Sequence, residues 1–131
     1  MTERVRSQVQ AAEMRFLQKI EGLTLLHKVR NSEIRKTLNV EPLLLRIERS
    51  QLRWFGHVSR MPQERIPKQV FLAKSNGKRP IGRPRTRWQD YIANLGWNRL
   101  GLHPTELDEV TMNRDVWRLL LGLLPPRPSQ E

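Results

Sequence analysis

The stretch Pro42-Leu43-Leu44-Leu45-Arg46-Ile47-Glu48-Arg49-Ser50-Gln51-Leu52-Arg53-Trp54-Phe55-Gly56-His57-Val58-Ser59-Arg60 lies between Glu41 and the breaker pair Met61-Pro62. Its apolar residues recur at spacings of three and four with no alternation of period two, which predicts one long helix over 42–60. Pro42 is tolerated in the first turn, where the N–H that proline lacks would have no partner in any case. At 100° per residue, with Leu43 at 0°, Leu44, Ile47, Trp54, Phe55 and Val58 fall between about 20° and 120°. Arg46, Arg49, Arg53 and Arg60 fall between about 240° and 300°. The expectation is a packing face with an arginine stripe opposite it. Glu48 and Gln51 intrude on the apolar side as groups for a neighbouring helix to satisfy.

The flanking sequence reads the same way. Val9, Ala12, Phe16, Ile20 and Leu23 form a stripe on a first helix that Gly22 helps to end, and a short piece follows over 24–29. Asn31 and Ser32 offer an N-cap for a helix through Leu38. Residues 73–85, with Gly77, Pro80, Gly82 and Pro84, predict an irregular loop. Thr86 with Gln89 matches a capping box. It precedes the stripe Trp88, Tyr91, Ile92 and Leu95, which stops at Gly96. Further helices are expected over 104–110 and from Asn113, the latter carrying Trp117, Leu120, Leu121 and Leu124. The expected fold is all-α: a small irregular helical domain of five to six helices with an extended basic loop. It divides into an N-terminal helical segment (1–30), a helical region with the long basic-faced helix (31–72), the basic arm (73–87), C-terminal helices (88–124) and a disordered tail (125–131).

Composition narrows the functional classes. The 131 residues include 24 Lys and Arg against 13 Asp and Glu, for a net charge of +11 and a pI near 11.4. Residues 1–88 hold 20 basic and 7 acidic residues, net +13, and residues 89–131 hold 4 and 6, net −2. So concentrated a positive charge implies a polyanionic partner, nucleic acid before an acidic membrane surface. The chain has no cysteine, which removes disulfide scaffolds, thiolate zinc sites and cysteine nucleophiles. Charged residues punctuate the first twenty positions, as no signal peptide allows. The longest apolar run, Leu119 to Leu124, is far below the ~20 residues of a membrane span. An intracellular protein, nuclear or cytoplasmic and not secreted, is expected.

The densest charge is Lys74-Ser75-Asn76-Gly77-Lys78-Arg79-Pro80-Ile81-Gly82-Arg83-Pro84-Arg85-Thr86-Arg87, with six cations and no acid. Glycine and proline keep it extended, and it runs into a helix N-terminus whose unpaired N–H groups favour an anion. Lys74, Lys78, Arg79, Arg83, Arg85 and Arg87, with Arg46, Arg49, Arg53 and Arg60, are the candidate nucleic-acid contacts. The arginine fork suits phosphate. Gly82-Arg83-Pro84 resembles the core of an AT-hook, with Ile81 in place of one core arginine, which leaves mainly phosphate contact. The competing reading of both features is a solvated basic surface, in the loop's case also a nuclear import signal.

Periodicity places Trp54, Phe55, Trp88 and Trp117 in the core, whereas Trp97 reads as a staple or an exposed contact. His27, His57 and His103 are scattered, and the chain lacks the clustered carboxylates of metal-dependent polymerases and nucleases, a GxxxxGK[ST] loop and a G-x-S-x-G elbow. No catalytic residue, cofactor or metal is expected.

Four segments carry a family resemblance: Ala12-Glu13-Met14-Arg15-Phe16-Leu17, Arg30-Asn31-Ser32-Glu33-Ile34-Arg35, Arg53-Trp54-Phe55-Gly56-His57-Val58-Ser59-Arg60-Met61, and Gly77-Lys78-Arg79-Pro80-Ile81-Gly82-Arg83-Pro84-Arg85-Thr86-Arg87-Trp88. Over residues 10–125 the chain resembles the segment downstream of the reverse transcriptase domain in LINE-type (non-LTR) retrotransposon polyproteins. The resemblance implies an element that copies its own RNA at a nicked DNA site. The polymerase motif Tyr-x-Asp-Asp is missing from this sequence. The expectation is therefore a C-terminal portion that binds RNA or DNA, with the reverse transcriptase domain as a further partner and no membrane partner. Two alternatives stand beside it: an inert or structural fragment whose arginine stripe packs on the polymerase, and a helical protein-interaction module using the C-terminal helix.

Overall fold

The computed structural model describes residues 1–23, 28–73 and 87–127. Among them it contains seven helices and no strand: α1 (Glu3–Glu21), α2 (Asn31–Leu38), α3 (Leu43–Ser59), α4 (Ile66–Leu72), α5 (Trp88–Leu100), α6 (Pro104–Thr111) and α7 (Arg114–Gly122). The all-α expectation holds. No described helix is long and apolar enough to cross a membrane. The chain divides into two compact units, Met1–Arg49 with Pro125–Glu131, and Ser50–Leu124.

In the first unit α1 packs on α2 through Met14, Leu17 and Ile34, with Leu23, Val29 and Leu38 around them. Thr2 caps α1 by accepting the Val5 N–H at 3.2 Å. Gly22 ends it in the left-handed conformation, φ 69°, which a residue without Cβ adopts at no steric cost. The buried face of α1 is not the expected stripe, since Phe16 is 64% exposed and Ile20 also faces solvent. Helix α2 starts after Arg30, which takes the N-cap position expected of Asn31 or Ser32 and makes no side-chain cap hydrogen bond. Glu13 organises this unit. Its Oε1 accepts Arg35 Nε and Nη2 at 2.8 and 2.6 Å, and its Oε2 accepts the Leu43 N–H. Leu43 opens α3, which has no acid in its own first turn. Glu13 therefore supplies from α1 the negative charge that the start of α3 favours.

Helix α3 runs within one residue of its expected ends, but its buried face is rotated. Leu45, Glu48, Leu52, Phe55, Gly56 and Val58 are buried, Leu43 is exposed, and Trp54, expected in the core, is 47% exposed. Buried Glu48 accepts Arg127 Nε at 2.8 Å and Nη2 at 3.1 Å. Residues 125–127, expected to begin a disordered tail, thus include a fixed ion-pair partner, while 128–131 lie outside the described residues.

The second unit is built around Trp117 of α7. Its indole Nε1 donates to the Leu52 carbonyl at 3.0 Å, and its ring meets Phe55 edge-on at 6.3 Å between centroids. Phe55 also packs on Phe71 of α4, and Phe71 on Trp88 of α5. A Cβ on Gly56 would stand 2.4 Å from Trp117 Nε1, so only glycine admits the indole here. Helix α4 was not expected, being short, carrying Pro67 in its first turn a few residues after Pro62, and exposing Ile66 and Val70. Helix α5 begins after Arg87, one residue beyond the expected Thr86 cap, and continues through Gly96 to a left-handed Gly101. Gly96 is a packing residue and not a stop, because a Cβ there would lie 3.0 Å from Leu107 Cδ2 of α6. Helices α6 and α7 match expectation. Glu106 Oε2 accepts the His103 N–H at the start of α6, and Asn113 Oδ1 accepts the N–H groups of Asp115 and Val116 at the start of α7.

Candidate nucleic-acid interface

The four arginines that the helical wheel places on one face of α3 have different fates. Arg49 Nη1 lies 3.0 Å from Glu41 Oε2 and 3.2 Å from Oε1. Arg60 Nη1 donates to the Thr111 carbonyl at 2.8 Å, so this side chain is part of the second unit's packing. Arg46 and Arg53 are exposed and form no ion pair among the described residues. The stripe therefore flanks the buried face instead of opposing it, and half of it is engaged by the protein.

Of the arm's cations, Arg87 is described. It is the N-cap residue of α5, makes no side-chain cap, and pairs through Nε with Asp90 at 3.3 Å on the surface. Lys74, Lys78, Arg79, Arg83 and Arg85 lie outside the described residues, as do Thr86, His27 and the expected short piece over 24–27.

One basic feature was not anticipated. Where α3 ends and the chain turns toward α4, His57, Arg60, Met61, Pro62 and Arg65 line a hollow of about 260 Å³. Trp54 stands beside it, its ring 5.6 Å from that of His57 and tilted by 45°. The signal was present as the three-residue spacing of Trp54, His57 and Arg60, but Arg65 and the Met61-Pro62 wall belong to a turn, which periodicity does not place. No group of three His, Asp or Glu side chains able to hold a metal ion occurs among the described residues.

Comparisons of this chain with models of protein families, with curated proteins and with solved structures found no match.

Proposed function

We propose that this chain is a non-catalytic helical module that binds RNA or DNA through the phosphate backbone. Segment 74–87 is its main contact, with Arg46 and Arg53 in support. We further propose that it derives from the region downstream of the reverse transcriptase in a LINE-type retrotransposon polyprotein, which would act in the nucleus or cytoplasm on its own RNA and target DNA. The observation that carries the reading is the unbalanced charge of residues 1–88, net +13, with six cations and no acid between 74 and 87. Internal pairing does not remove it. Glu13 and Glu41 each neutralise one cation of that stretch, and Glu48 is engaged by Arg127 from outside it.

The test is a titration of labelled single-stranded RNA and duplex DNA at two salt concentrations. Six phosphate contacts give a loss of affinity of about 10³-fold between about 50 and 200 mM salt. A low-micromolar complex at low salt that weakens in this way supports the reading. Weak association indifferent to salt overturns it.

A second reading, a helical protein-interaction module, is favoured by one observation. Val116 and Leu119 of α7 and Leu123 at its C-cap form an exposed apolar stripe at helical spacing, on the side away from Trp117 and Leu121, and Met112 just before the helix is exposed as well. Failure of the titration moves the weight to this reading.

A further inference from the structure

We infer that the hollow lined by His57, Arg60, Met61, Pro62 and Arg65 seats one phosphodiester of a single-stranded nucleic acid, with the neighbouring base stacked on the exposed indole of Trp54. This rests on the nucleic-acid reading above and adds to it a site and a strand preference.

The chemistry of the lining selects the ligand. Two arginines and a histidine contribute to the lining with no carboxylate beside them, and Glu64, the acid of the same turn, is exposed and is not a lining residue. Arginine presents several N–H donors in a plane that matches phosphate oxygens. The bond from Arg60 Nη1 to the Thr111 carbonyl uses one of those donors and holds the guanidinium in place before any ligand arrives. Less side-chain freedom is then lost on binding. Met61 and Pro62 make the remaining wall apolar, as suits a sugar more than an isolated hydrated ion. The volume, about 260 Å³, lies just below the ~300–1,000 Å³ usual for clefts that enclose a whole small molecule. It fits one unit of a chain that continues past it on both sides.

Trp54 completes the argument. An indole about half exposed, on a helix that buries Phe55, Leu52 and Val58, contributes little to the core. Its contact with His57 sets the ring beside the hollow. A base stacks on such a face whatever its identity, but only when it has left a duplex stack. The site therefore prefers single strands, in contrast to the arm, whose contacts serve either form.

The experiment compares single-stranded and duplex DNA of the same sequence, by fluorescence anisotropy over a range of salt, for the full chain and the variants Trp54→Ala, Trp54→Phe and Arg65→Ala. Trp54→Ala is expected to lower single-strand affinity about 5- to 150-fold, the effect of losing one stacked base. Its salt dependence and its duplex affinity stay unchanged, and Trp54→Phe retains most of the single-strand affinity. Arg65→Ala is expected to flatten the single-strand salt slope by about 0.7, the share of one phosphate. Unchanged single-strand affinity in Trp54→Ala and Arg65→Ala overturns the inference and leaves the arm reading standing. So does an equal loss on duplex and single strand in Trp54→Ala. Absence of binding by the unmodified chain overturns both.

Discussion

Trp117→Ala is expected to cost the Ser50–Leu124 unit about 3–5 kcal/mol, the range for deleting a fully buried large aromatic side chain. Trp117 is 2% exposed and forms the centre to which Phe55, Leu52 and Gly56 are fitted. Its removal leaves a cavity that the neighbouring helices fill only in part. The glycine at position 56 compounds the loss, because it adds no side chain of its own to the vacated space. Domains of this size are stable by about 5–15 kcal/mol in all, so a large part of the folding free energy is at stake. Trp117→Phe keeps an aromatic ring but removes the donor to the Leu52 carbonyl, and the loss of that hydrogen bond contributes about 1 kcal/mol to its cost. Urea denaturation followed by far-UV circular dichroism measures both. A shift below 1 kcal/mol for the alanine variant would contradict the packing described.

Arg127→Ala is the second large effect. Glu48 is 1% exposed, and two hydrogen bonds from the Arg127 guanidinium meet its carboxylate. Breaking a buried ion pair by deleting one partner costs about 3–5 kcal/mol, because the surviving charge loses compensation; here the Met1 ammonium continues to act on Glu48. The lower end, about 3 kcal/mol, is expected because the guanidinium side of this pair keeps some contact with water. Adding Glu48→Gln to Arg127→Ala recovers much of the loss by removing the buried charge. The same denaturation experiment checks this, and a loss of under 0.5 kcal/mol, as for an exposed pair, would mean that Glu48 does not depend on Arg127.

Glu48 also explains where the sequence was hard to read. The ends of α3 were legible because Glu41-Pro42 and Met61-Pro62 bracket it, and its apolar spacing admits no strand. Its buried face was only partly so: Glu48 reads on the apolar side as a group that needs a partner, but the arginine that permits its burial lies 79 residues along the chain. Helix α1 shows the same limit. Phe16 and Ile20 make the more apolar stripe, yet Met14 and Leu17 meet Ile34 and are buried, because Glu13 on that side is fixed by Arg35 and the start of α3. Gly96 reads as a stop because glycine disfavours helix. That Leu107 needs the missing Cβ is a tertiary fact with no local signature.

The candidate site was legible as charge but not as geometry. Arg46, Arg49, Arg53 and Arg60 share a residue type and a helical face, and only the fold separates Arg49, paired with Glu41, and Arg60, bonded to the Thr111 carbonyl, from the other two. Trp54 read as core because the wheel sets it at one edge of the apolar arc that also holds Phe55 and Val58, whereas the buried face is turned away from that edge toward Leu45, Glu48 and Leu52. The hollow beside it depends on Arg65 and Pro62, contributed by a turn whose shape is set by capping hydrogen bonds such as Met61 N–H to the Val58 carbonyl and Arg65 N–H to the Pro62 carbonyl.

The most direct test of the nucleic-acid reading is the salt dependence of duplex DNA binding by the unmodified chain, by Arg79→Ala/Arg83→Ala/Arg85→Ala/Arg87→Ala, and by Arg46→Ala/Arg53→Ala. If all four arm arginines meet phosphates, the slope of log K against log salt flattens by about 3.6 in the first variant, at about 0.9 for each contact. The two exposed helix arginines account for up to about 1.8 in the second. Both variants are expected to keep their helical circular dichroism spectrum: of the substituted residues, Arg46, Arg53 and Arg87 are described and none belongs to either core. Slopes identical to that of the unmodified chain in both variants would contradict the assignment of this surface to nucleic acid.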